Sequence, residues 1–140
     1  MFQDGMKMSG KLKITLNDKV VQEVDNLVVT SGKEFVASRM IGTSASVMSH
    51  MAVGSGSTAA AAGDTALGSE LGRTTATSSA SGAVVTFSST FAAGTGTGAV
   101  TEAAILNASS SGDMLCRTVF SVVNKGASDS MTISWTVTVS

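Results

Sequence analysis

A chain of 140 residues is the size of one domain, long enough to bury roughly 70% of its unfolded surface without a covalent staple. Charge is sparse and balanced, 9 Lys+Arg against 10 Asp+Glu with a net of −1, which leaves no basic stripe for nucleic acid. The single cysteine, Cys116, excludes an intrachain disulfide, and no apolar run approaches the ~18 residues of a membrane-spanning helix.

Fifteen Gly, abundant Ser and Thr and no Pro favour short strands joined by turns. Without Pro, sheet edges lack a common guard and must be covered within the domain or by a neighbouring subunit. The opening "MFQDGMKMSG" has no periodicity and lacks the apolar middle of a signal peptide, so synthesis in the cytoplasm is expected. Residues 1–10 read as a flexible arm whose Phe2, Met6 and Met8 can dock on a neighbour, because Met adapts to irregular apolar surfaces. Residues 11–140 read as one β-rich domain.

Leu12, Ile14 and Leu16 alternate with Lys11, Lys13 and Thr15, a half-buried strand. Asn17-Asp18 supplies a turn, and "KVVQEV" returns as the partner strand. Ser31 and Glu34 form a capping-box pattern, with Phe35, Val36 and Met40 near one face and Gly42 as terminator. One short helix near residues 32–41 is expected. "SVMSHMAV" alternates again, and "DTALGSEL", with Asp64 as cap, allows at most a turn or two of helix. The second half is β throughout. "GAVVTFSSTF", "VTEAAILNA" and "MLCRTVFSVV" are strands, with a turn at "SSSGD" where Gly112 can take a positive φ. In "SMTISWTVTVS", Met131, Ile133, Trp135, Val137 and Val139 face one way in strict alternation. The fold class is mainly β: a single-domain antiparallel β-sandwich or small barrel with that one helix.

"MAVGSGSTAAAAGDTALGSEL", residues 51–71, imitates a phosphate loop, yet Gly63 is followed by Asp64 where a Lys would be required. Gly54 and Gly56 with Ala59 match only a degenerate dinucleotide fingerprint, and no long helix follows. A long connection whose alanines lie flat against the body is the reading that remains. His50, between apolar neighbours, reads as structural, and Cys116 as a small core or surface residue. One Cys and one His make no metal cluster, and Asp64, Asp113 and Asp129 sit in predicted turns as caps. Glu102 can pair with Arg73 or Arg117, though no spacing selects between them. No catalytic residue, cofactor or metal site is therefore expected, and the work of the chain is contact.

"NLVVTSGKEFVASRM", "MSHMAVGSGSTAAAAGDTALGSELGR", "VTEAAILNASSSGDMLCRTVF" and "VNKGASDSMTISWTVTVS", in that order, resemble small structural proteins of tailed bacteriophages over residues 26–140. The resemblance implies a virion protein: a capsid cement or decoration subunit, expected as a homotrimer on the major capsid protein. Alternatively, it implies a tail, collar or fibre-associated structural or host-binding protein. It brings no catalytic residues, and implies neither nucleic acid nor membrane as partner.

Overall fold

The computed structural model describes residues 5–42 and 45–140, which form an antiparallel β-sandwich with one helix. Its elements in chain order are β1 (Met8–Leu16), β2 (Lys19–Asp25), β3 (Leu27–Val28), α1 (Thr30–Arg39), β4 (His50–Gly54), β5 (Glu70–Thr75), β6 (Thr77–Ser81), β7 (Val84–Phe91), β8 (Gly98–Leu106), β9 (Met114–Lys125) and β10 (Met131–Val139). Two five-stranded sheets run β2-β1-β10-β7-β6 and β3-β9-β8-β4-β5. Both are open, so the sandwich alternative holds and the barrel does not.

The first and last strands pair along their length, from Met8 opposite Val139 to Leu16 opposite Met131. Lys7 and Ser140 extend that ladder with reciprocal backbone bonds of 2.7 and 2.8 Å. The paired strand thus begins at Met8, earlier than the alternation from Lys11 indicates. Alternation does the rest: Leu12, Ile14, Phe87, Phe91, Ile133, Trp135 and Val137 meet Met51, Val53, Val100, Ala103, Ile105 and Phe120 of the other sheet in one core. The Asn17-Asp18 turn takes left-handed backbone at both residues, φ 47° and 67°, the geometry that matches strand twist in a two-residue hairpin.

On each flank the chain steps from one sheet to the other within a single residue. Asn26 joins β2 to β3, and Ala76 joins β5 to β6. These corners tie the sheets together: Asn26 N–H donates to the Gly10 carbonyl at 3.0 Å and Ala76 N–H to the Ser49 carbonyl at 2.8 Å.

The helix begins at Thr30, two residues early, and the capping box does not form. Val29 is the N-cap with no side-chain bond, and the Ser31 hydroxyl instead donates to the Met114 carbonyl at 2.9 Å. A tertiary bond to β9 has displaced the local cap. Phe35 and Val36 pack on the core, but Met40 is the C-cap and points away from it, 78% exposed. Gly42 ends the segment at φ 65°, as the sequence indicates. No helix forms over residues 64–71: β5 starts at Glu70 and the residues before it are irregular.

Gly32 is what lets α1 approach β9, because a Cβ there would collide with the Leu115 backbone carbonyl. Gly32→Ala is expected to cost about 1–3 kcal/mol, an overpacking penalty set by rigid backbone rather than a flexible side chain. A urea midpoint unchanged from the native chain would show that α1 rides freely on the sandwich end.

Candidate functional site

The 51–71 stretch is an anion loop after all, and the anion is the chain's own. Glu102, in mid-β8, points away from the main core, on the side where Ala104, Leu106, Ala52, Met114 and Val29 form a second buried cluster. Leu67 packs on that cluster from the loop. The Glu102 carboxylate accepts backbone N–H bonds from Gly56 at 2.7 Å, Gly68 at 2.8 Å and Ser69 at 2.8 Å. Arg117 of β9 donates to the same carboxylate through Nε at 3.1 Å and Nη2 at 2.9 Å. It also reaches Asp64 Oδ2 at 2.9 Å and the Thr58 carbonyl at 3.0 Å. The Glu102 and Arg117 side chains are 0% and 3% exposed.

Glycine at 56 follows from this contact. A Cβ there would sit 2.5 Å from Glu102 Oε2, so only glycine brings its N–H that close to the carboxylate. Burial pushes the Glu102 carboxyl up. The N–H groups of Gly68 and Ser69, then Arg117, then Gly56 outweigh it and hold the group below its ordinary value. The loop's donors are therefore already committed. Arg117 is the partner of Glu102, while Arg73 pairs with Glu70 at 2.7 Å. The alanines carry none of this: Ala59, Ala61 and Ala62 are exposed and only Ala60 is half-buried, contrary to the expectation that they lie flat on the body. Asp64 does act as a turn residue, accepting the Ala61 N–H at 2.8 Å.

His50 Nδ1 lies 2.8 Å from its neighbour Ser49 Oγ, and among the described residues no carboxylate bonds the ring. No group of three or more His, Cys, Asp or Glu side chains gathers among them. Cys116 is fully buried, and burial pushes its thiol up, away from the reactive thiolate. Asp129 caps the β9–β10 turn, accepting from Asn17 Nδ2 at 2.9 Å and from the Gly126 N–H at 2.7 Å. Among the described residues, no helix is long and apolar enough to cross a membrane.

The expected contact residues separate. Phe2 lies outside the described residues. Met6 is 71% exposed, whereas Met8 is half-buried within β1. Met8 lines an apolar groove of about 370 Å³ between α1 and the ends of β1, β7 and β10, together with Phe35, Val36, Met48, Val85 and Val139. Val47 lines the same groove and is 59% exposed; Met40 and Ile41, next to lining residue Arg39, are 78% and 82% exposed. Sequence reasoning missed Ile41 and Val47 as surface residues and placed Met40 on the packed face of the helix. The available signal was Gly42, whose φ of 65° ends the segment one residue after Ile41; nothing local marks Val47. No family model, curated protein or solved structure matches the chain.

Proposed function

We propose that this chain is a structural protein of a bacteriophage virion, a capsid cement or decoration subunit that is made in the host cytoplasm and binds the major capsid shell. One observation carries the reading: Val47 stands exposed in the lining of an open apolar groove, and Met40 and Ile41, which follow its lining residue Arg39, are exposed as well. Large apolar side chains gathered on the surface of a small domain mark a contact surface. The residue-level resemblance to phage structural proteins supplies the identity of the partner. Several copies on one shell would gain from effective concentration, so each contact can be weak.

The test is co-sedimentation with empty capsid shells. Ile41→Lys is expected to weaken attachment about tenfold or more, since it replaces a buried apolar contact by a charge. Removing residues 1–6 should also weaken it. The truncation stops short of Lys7 because Lys7 and Met8 belong to the β1–β10 ladder. Full occupancy by both variants, or attachment to isolated tails and not to shells, would overturn the proposal.

A further inference from the structure

We propose that the free edge of β6 pairs with β6 of a second copy of this chain, antiparallel about Ser79, joining two five-stranded sheets edge to edge. The four outer strands are not equivalent. β2 carries Lys19, Glu23 and Asp25, and its ladder to β1 is broken by a register shift. β5 carries the Glu70–Arg73 ion pair and a shift opposite Val53 and Gly54. β3 is two residues long. Charges, bulges and shortness are the devices that keep edges from pairing. β6, "TSSAS", has no charge and no bulge, pairs with β7 in unbroken register, and is exposed at all five residues.

The same strand is complementary to itself. Antiparallel pairing about Ser79 sets Thr77 opposite Ser81 and Ser78 opposite Ala80. Every opposed pair is small and uncharged, so nothing repels, and the two-fold contact closes on itself without a filament. Five residues of backbone pairing are a small interface beside the ~1,200 Å² or more of a stable complex. Ser78 lines the same groove as Val85 and Phe87, so a partner strand on β6 meets the groove only at its β6 rim. Met40 and Ile41, on the helix side, are not used. The pairing stands independently of capsid binding, and it replaces the homotrimer implied by the resemblance with a dimer.

Sedimentation equilibrium over a concentration series tests it. The full chain is expected at twice its 14.0 kDa mass. Ser79→Lys places like charges opposite each other at the two-fold, as does Ser79→Glu. Each should dissociate about tenfold more readily, with the near-ultraviolet signal of Trp135 reporting an intact fold. An equimolar mixture of the two should recover the native association, because Lys then faces Glu. A native monomer or trimer, a Ser79→Lys dimer as tight as the native one, or a mixture that fails to recover association overturns the pairing.

Discussion

Glu102→Gln is expected to lower the unfolding free energy by about 3–5 kcal/mol, the cost of leaving one member of a buried ion pair without its partner. In a chain of this length that is a fall in Tm of roughly 10–20 °C. The substitution keeps the side-chain volume, so the loss reports charge and hydrogen bonding and not a cavity. Three backbone N–H groups and two Arg117 nitrogens converge on the native carboxylate. An amide in its place presents an NH₂ to some of those donors and leaves the Arg117 guanidinium with Asp64 as its remaining anion. The double variant Glu102→Gln/Arg117→Met should recover part of the loss, since it also removes the buried guanidinium that the single variant leaves without Glu102. Denaturant unfolding of the native chain, the single and the double variants checks this. A single variant within about 1 kcal/mol of native would mean the loop is not held by this carboxylate.

The pH dependence has a definite sign. The folded carboxyl of Glu102 lies below its unfolded value of about 4.3. Its contribution is therefore fully present above that pH and is lost as pH falls through the folded value. The gap between the native chain and Glu102→Gln should be constant near neutrality and close on acidification below about pH 4.3.

Trp135→Ala is expected to cost about 3–5 kcal/mol, the range for removing a large aromatic side chain from a packed core. Trp135 is 0% exposed at the centre of β10, between Leu12 of β1 and Phe87 of β7 in the ladder. Its indole Nε1 donates to Asn26 Oδ1 at 2.7 Å, which fastens the corner between the two sheets. Gly10 makes room for that bond, because a Cβ there would collide with the Asn26 side chain. Asn26 Nδ2 is already buried with no protein partner, so losing the indole strips the side chain of its remaining bond. Trp135→Phe should fall between native and Ala, retaining the ring but not the donor. Equal stability of the Phe variant and the native chain, by urea midpoint, would show that the Asn26 bond contributes nothing.

How much of this was legible in the sequence depends on how local the cause is. β10 follows from strict alternation over Met131–Val139, and the Asn17-Asp18 hairpin from turn chemistry; both are set by adjacent residues. The helix was found but displaced, because the Ser31 hydroxyl had a better partner in β9 than in its own first turn. The sequence argues against an anion loop here, because Asp64 stands where a Lys is needed; the anion that Gly56 does meet, Glu102, lies 46 residues away and no local pattern names it. Sandwich and barrel could not be told apart because the difference lies in which strands remain unpaired. The apolar end is less legible: Met40 keeps helical backbone, φ −66° and ψ −24°, at helical spacing from Val36, yet stands exposed because no other element covers it.

The most direct test of the contact role is an electron-microscopy map of empty shells mixed with the full chain. The expected map shows the sandwich seated with Met40, Ile41 and Val47 against the capsid subunits. Bare shells, or density in which that end faces solvent, would contradict it.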